Sequence, residues 1–290
     1  MLYFAAMKRK CLTILCVIVF ASNVQAQFSR FLQGEFGFTA GAAHYFGDLN
    51  PTAKINRPKI ALGMYFLKQY NNYIALRVSA HFAQLGYSDI YSDNEFQRLR
   101  NLSFNTNIFE VAVQGDFNFF KFIPGDPKYG FTPFISLGVG AFTYNPYAYL
   151  NGQKVYLRPL GTEGQNIGYK GADGVVRKPY GTVAACFPIG AGVKYNINNK
   201  MNFTIQITQR LTTTDYIDDV STTYVGADKF PAGSIAQILQ DRSNETGAAA
   251  IGTAGTQRGW SKQKDQYVIA EIGLSFTIFN YECPDAAPSD

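Results

Sequence analysis

The sequence predicts an all-β fold: an eight-stranded antiparallel transmembrane barrel, with short periplasmic turns on one rim and long extracellular loops on the other. Three observations predict it. Eight stretches alternate apolar and polar residues, the period-two signature of a half-buried strand. The gaps between them run long and short in turn, as in bacterial outer-membrane barrels. Aromatic residues crowd beside the short gaps, where an interfacial girdle belongs.

Strands are expected at 34–45, 59–69, 72–86, 104–119, 132–144, 182–196, 201–213 and 266–280. The first and fifth are rich in Gly and Ala, so their alternation is weak. The third sets Ile74, Leu76, Val78, Ala80 and Phe82 against Tyr73, Ala75, Arg77, Ser79 and His81. The fourth is the clearest: Phe109, Val111, Val113 and Phe117 share one face, and Glu110, Ala112, Gln114, Asp116 and Asn118 the other. The sixth fits worst. Pro188 lies inside it and cannot donate a ladder hydrogen bond, so a bulge or a locally broken pair is expected there. The seventh sets Phe203, Ile205, Ile207 and Leu211 against Asn202, Thr204, Gln206, Thr208 and Arg210. The eighth sets Val268, Ala270, Ile272, Leu274, Phe276 and Ile278 against Tyr267, Glu271, Ser275 and Thr277.

The connections orient the barrel. Gln69 to Asn72, Lys121 to Gly130 and Ile197 to Lys200 are short or moderate, whereas the gaps before the second, fourth, sixth and eighth strands are long. With both termini in the periplasm, every short turn falls inside and every long loop outside. Tyr70, Tyr73, Phe119, Phe120, Phe122, Phe131, Phe134, Tyr195, Phe203, Phe279 and Tyr281 then ring the periplasmic rim.

The polar faces carry Glu35, Arg77, Glu110, Asp116, Lys194, Arg210 and Glu271. These charges nearly balance, so a narrow lumen can neutralise them. A soluble sandwich or lipocalin-like barrel would instead bury its apolar face. Eight strands enclose a space just wide enough for side chains to fill, which argues against a permanent solute channel.

Residues 1–26 have the form of an export signal: Lys8, Arg9 and Lys10, an apolar stretch from Cys11 to Ser22, then Val24-Gln25-Ala26. The barrel is expected over 27–282 and a periplasmic C-terminal tail over 283–290. The whole chain has 26 Lys+Arg against 21 Asp+Glu; without the three basic residues before Gln27 the balance is 23 against 21, or +2. No basic field remains to recruit nucleic acid. After signal removal two cysteines are left, Cys186 and Cys283. The topology puts Cys186 toward the outer half of the sixth strand and Cys283 on the periplasmic side, beyond the roughly 7 Å that a disulfide spans, so two free or buried thiols are expected.

Chemistry has few candidates. An acyl-chain enzyme would need a Ser/His/acid set at the outer rim, and His44 with Asp48 or His81 with Ser88 are the residues at hand. Nothing local enforces their contact, and no enzyme activity is expected. Asp215, Asp218 and Asp219 form an acidic cluster whose spacing matches no EF-hand loop. Gly138-Val139-Gly140 and Gly190-Ala191-Gly192 lie within strands, with no phosphate-binding helix after them. No cofactor and no metal are expected.

Several loop sequences carry a family resemblance. Tyr45-Phe46-Gly47-Asp48-Leu49-Asn50-Pro51 closes the first strand, and Arg100-Asn101-Leu102-Ser103-Phe104 opens the fourth. The third loop holds Arg158-Pro159-Leu160-Gly161-Thr162-Glu163-Gly164-Gln165. The last begins Thr214-Asp215-Tyr216-Ile217-Asp218-Asp219-Val220, with Asp241-Arg242-Ser243 and Gln257-Arg258-Gly259 further on. In this order they resemble the PorG-like outer-membrane barrels, over about Gln33 to Pro284. That resemblance implies a non-enzymatic barrel of the type IX secretion machinery, held in outer-membrane lipid and contacting the machinery's periplasmic ring proteins. By topology the turn Lys121 to Gly130 and the terminal segments are the candidates for that contact. A structural or adhesin-like barrel working through its outer loops is the alternative, and a lipid-modifying enzyme a third. Asp, Asn, Gly and Pro in such motifs also set turns, so the motifs can equally build a folded outer cap.

Overall fold

A computed structural model describes residues 34–278 except 125, 172, 173 and 199. The expected signal segment, the C-terminal tail, Cys283, Phe279 and Tyr281 lie outside the described residues.

The strands are β1 (Gly34–Phe46), β2 (Lys59–Gln69), β3 (Ile74–Ser88), β4 (Ser103–Asn118), β5 (Phe131–Thr143), β6 (Tyr147–Leu150), β7 (Gln153–Tyr156), β8 (Val183–Asn198), β9 (Met201–Thr212) and β10 (Gln266–Ile278). Eight of them close a ring. β1 pairs antiparallel with β2 and with β10, from Gly34 opposite Ile278 to Phe46 opposite Gln266. The ring continues through β3, β4, β5, β8 and β9 back to β10, every pair antiparallel. The fold is a closed eight-stranded antiparallel barrel with no free edge.

Two short turns use one device. Asn71 Oδ1 accepts Tyr73 N and Ile74 N, each at 2.8 Å. Asn198 Oδ1 accepts Lys200 N at 2.9 Å and Met201 N at 3.0 Å. An Asn side chain thus stands in for a backbone acceptor and reverses the chain. That turn delays β3 to Ile74, two residues past its expected start.

Pro188 acts on one neighbour only. The β5–β8 ladder runs to Leu137 opposite Ile189 and resumes at Gly140 opposite Cys186 in the same register. The expected broken pair is there, because proline offers no N–H. The expected bulge is not: Pro188 still faces Arg210 on β9, and the register shift lies at Asn196/Asn198 beside the short turn.

Polarity inverts along the barrel axis. From Phe109 to Phe117, β4 points Phe109, Val111, Val113 and Phe117 outward and buries Glu110, Gln114 and Asp116. Above Phe109 the same strand buries Phe104 and Ile108, with Asn107 outside. β3 changes likewise, burying Arg77, Ser79 and His81 below and Ala83, Leu85 and Tyr87 above. The lower barrel is therefore apolar outside and polar within, and the upper barrel has an ordinary apolar core. That core joins Tyr45, Leu49, Leu85, Tyr87, Phe104, Ile108, Ile217, Val220 and Leu239. It holds down the long connections, including helices α1 (Glu95–Arg100) and α2 (Ile235–Gln240).

The third connection is not plain loop: β6 and β7 form a hairpin over Asn151 (φ 51) and Gly152 (φ 78). Both central residues lie at positive φ, the demand of a type I′ turn that Asn-Gly meets at least cost. The aromatic rim is also only partly as expected. Tyr70, Tyr73, Phe119, Phe120, Phe131 and Tyr195 are exposed, but Phe122 and Phe134 are 1% exposed. Phe134 shares the inward face of β5 with Thr132 and Ser136, and its ring lies under Lys194 Nζ at 4.5 Å.

Candidate functional site

Two polar assemblies hold the predicted site residues, one in the lumen and one in the cap. All seven predicted lumen charges are buried. Asp116 Oδ2 takes Arg77 Nη2 at 2.6 Å and Lys194 Nζ at 2.8 Å. Arg77 Nη1 donates to Gln206 Oε1 at 2.5 Å, and Gln206 Nε2 passes the chain to Glu271 Oε1 at 2.5 Å. Glu110 Oε2 accepts Arg210 Nε at 3.2 Å and the Tyr267 hydroxyl at 2.5 Å. His81 bridges the halves, its ring nitrogens 3.5 Å from Glu110 and 3.4 Å from Glu271. Glu35 differs: it accepts Ser275 Oγ at 2.8 Å and makes no ion pair among the described residues. The Lys194–Asp116 and Arg210–Glu110 pairs join strands that are not neighbours in the ring, so charged side chains reach across the lumen.

The loop motifs build the cap. Arg100, the last residue of α1, grips Asp89 with Nε and Nη2, each at 2.7 Å. Its Nη2 also donates to Asp48 O at 3.1 Å and its Nη1 to Arg258 O, so one guanidinium ties three loops. Arg258 Nη1 donates to Glu163 Oε1 at 3.0 Å and to Asp219 O at 2.6 Å. Glu163 is saturated, taking Ser221 N at 2.9 Å and Thr222 Oγ1 at 2.6 Å as well. Asp219 receives Thr162 Oγ1 at 2.6 Å and the Tyr180 hydroxyl at 2.5 Å. Paired guanidinium and carboxylate groups buried this way need every lone pair satisfied, and here most are.

The remaining motif residues shape backbone. Asn50 closes the first loop through Tyr45 O at 2.9 Å and Lys54 N at 3.0 Å. Asn101 ends α1 at φ 54 and reaches Arg242 O at 3.3 Å. Gly161 sits at φ 60, where a side chain would also strike Asn166, and Pro159 O accepts Asn166 Nδ2 at 2.7 Å. Asp241 holds Ser243 N at 3.0 Å and Gly252 N at 2.7 Å, and Arg242 reaches Ser103 Oγ at 3.1 Å. Pro51 is exposed at the loop tip.

The acidic cluster does not converge. Asp215 turns to Ser221 Oγ at 2.6 Å, Asp218 to the Tyr45 hydroxyl at 2.6 Å, and Asp219 to the partners above. Among the described residues no three His, Cys, Asp or Glu side chains are grouped as metal ligands. Burial pushes Asp215 up to about 7, and pushes Asp219 up to about 6 against the pull of Arg258.

The catalytic candidates are apart. His44 Nδ1 meets Tyr45 O at 3.0 Å and its Nε2 accepts Arg57 N at 3.2 Å, so Asp48 is not its partner. His81 faces two lumen carboxylates, while Ser88 caps a 3-10 turn at Ile90 N, 3.5 Å away. Asp89, Tyr45 and Asp265 belong to the cap although the sequence pattern does not single them out. Tyr45 lies within the Tyr45-to-Pro51 motif, but a strand tyrosine and two isolated aspartates carry no spacing signal.

Residues 8–158 match a family model described as a domain of unknown function, DUF6089. The chain belongs to this family. No curated protein matches the chain in sequence. Among solved structures it is similar to neisserial surface protein A (TM-score 0.41, 8% identity, 85% of this chain and 97% of that one). It is also similar to Ail, the attachment invasion locus protein of Yersinia pestis (TM-score 0.37, 9% identity, 85% and 99%). A third is the outer membrane enzyme PagL (TM-score 0.30, 10% identity, 84% and 99%). The DUF6089 match spans β1 to β7 and includes the motifs from Tyr45 to Pro51 and from Arg100 to Phe104.

Proposed function

We propose that this DUF6089 chain is an outer-membrane barrel that works as a sealed anchor, and that it serves the type IX secretion machinery as an accessory component. The observation that carries the first part is the polarity of the lower barrel. Phe109, Val111 and Leu137 are 60%, 60% and 64% exposed on the outer wall, while the charged residues are shut inside. Exposing such rows to water is costly, and acyl chains remove that cost. No described helix is long and apolar enough to cross a membrane, so crossing falls to the strands.

A plugged lumen moves function to the rims. On the short-turn side a groove of about 800 Å³ lies between Phe119–Phe131 and Tyr195–Asn198, with Lys121 and Lys128 beside Tyr129. It offers a mixed aromatic and basic surface to a periplasmic ring protein. The secretion role itself rests on the PorG-like motif series. Deleting the gene should cut export of cargo bearing the system's C-terminal sorting domain. Undiminished export, with no paralogue taking over, sinks that role and leaves the anchor reading standing.

The compact cap favours a second reading, a structural or adhesin-like barrel acting at the outer surface. Trimming 215–265 should then abolish attachment to a surface partner while export continues. Lipid modification is tested separately, by replacing His44 and His81 and following lipid acylation.

A further inference from the structure

Tyr45, at the top of β1, ties together the two ends of the last long connection. Its hydroxyl lies 2.6 Å from Asp218 Oδ2 and 2.8 Å from Asp265 Oδ1. All three side chains are buried. The remaining oxygen of each carboxylate is already engaged: Asp218 Oδ1 accepts Val220 N at 2.9 Å and Asp265 Oδ2 accepts Ile217 N at 2.8 Å.

Proton counting decides what this triad holds. A phenol has one hydrogen and can donate to one acceptor at a time. Two contacts of hydrogen-bond length to carboxylate oxygens therefore need a second proton, carried by Asp218 or Asp265 and donated back to the Tyr45 oxygen. With both aspartates ionised, one contact would set a carboxylate oxygen against a phenol lone pair in a dry site. Neither aspartate has an ion-pair partner among the described residues that would hold it ionised.

The surroundings add negative charge. Asp48 from the first loop and Asp215 from the last face the pair. The Arg100 guanidinium feels Asp218 but is spent on Asp89, Asp48 O and Arg258 O. Tyr144 at the end of β5 and Tyr180 in the third connection are neutral neighbours. Lys264 acts on Asp215.

We infer that Tyr45, Asp218 and Asp265 form a proton-held latch, which keeps the last connection closed over the barrel and releases it when the shared proton is lost. Burial pushes both aspartates well above the usual carboxylate range, with repulsion from Asp265 adding to it at Asp218 and from Asp215 at Asp265. Burial also holds Asp48 up at about 6 and Asp215 at about 7. The sign follows from linkage. A carboxyl group raised in the folded cap stabilises it fully below the unfolded value near 3.8, and that stability is lost as pH rises through the folded value. The latch is thus at full strength below about pH 3.8, weakens as pH rises, and is lost once pH passes the raised folded values. Release would uncover Ile217 and Val220, both fully packed in the cap core.

The test uses the full chain in detergent micelles and hydrogen exchange of peptides from 213–265, with rates corrected for the intrinsic base catalysis of exchange. Between about pH 6 and pH 9 their protection should fall about tenfold or more, while peptides from the lower strands hold steady. Asp218→Asn and Asp265→Asn, made separately, supply a permanent donor and should flatten that dependence. Equal protection at both pH values, or variants that keep the wild-type dependence, would overturn the latch. A second measurement needs no variant: the infrared spectrum of the wild-type protein at neutral pH should show the C=O stretch of a protonated carboxylic acid, lost on alkaline titration. Its absence would likewise overturn the proposal.

Discussion

Arg258 reaches Glu163 across the cap at 3.0 Å, and both side chains are almost wholly buried. The pair joins the third connection to the last, and Glu163 also takes Ser221 N and Thr222 N from the strip that follows the acidic cluster. Removing the carboxylate leaves the buried guanidinium with Asp219 Oδ2, 4.0 Å away, as its remaining counter-ion, and breaking such a buried pair costs about 3–5 kcal/mol. Glu163→Ala should therefore open the cap and leave the lower barrel formed. Limited proteolysis checks it: cleavage should appear within 213–265 while the trimmed barrel persists. A cap as resistant as the wild type would show that the pair is dispensable.

Arg100 poses a sharper case, because geometry and charge separate there. Its guanidinium meets both oxygens of Asp89 at 2.7 Å and still reaches the carbonyl of Asp48 at 3.1 Å. Lysine keeps the charge but has no planar fork to make these contacts together. Arg100→Lys should then destabilise the cap by about 2 kcal/mol or more, the range for losing charge-assisted hydrogen bonds. Denaturant titration followed by loop proteolysis measures it, and a lysine variant with unchanged loop protection would show that charge alone suffices.

The strands are legible because this barrel repeats one rule at every second residue. The same rule put Arg77, Glu110, Asp116, Lys194, Arg210 and Glu271 inside, and they are inside. Phe122 and Phe134 leave the expected girdle for the interior because closeness to a turn says nothing about which face a ring takes; a one-residue step in register reverses it. The cap was legible only as motifs. Arg100 with Asp89, Arg258 with Glu163 and Tyr45 with Asp265 are contacts between separate segments, and no periodicity marks them. The change of polarity at Phe109 was also hidden, since apolar residues alternate above it as below while their meaning reverses. The Asn151-Gly152 pair was a readable hairpin signal inside what looked like open loop.

Asp116 is the counter-ion of two cations at once, Arg77 at 2.6 Å and Lys194 at 2.8 Å. Asp116→Ala leaves both buried without it and should cost about 3–5 kcal/mol of barrel stability. The expected readout is a lower midpoint in the gel-shift assay of heated, folded barrel. In planar bilayers the wild-type protein should pass no steady current, because the paired charges reach across the lumen. A stable ohmic conductance from the wild type would contradict the plugged lumen and the anchor role built on it.

The membrane reading is tested on the outer wall. Val113 lies midway along the apolar stretch of β4, and Phe117 lies near its short-turn end, both exposed. Arginine facing lipid at the bilayer midplane costs about 2–4 kcal/mol, and about 0–1 kcal/mol near the interface. Val113→Arg should thus impair folding into phospholipid vesicles far more than Phe117→Arg. In water the order would not hold, because both positions would be solvated and arginine would relieve the exposed apolar surface at each. Folding yields in vesicles that fail to separate the two variants would mean that this wall does not face acyl chains.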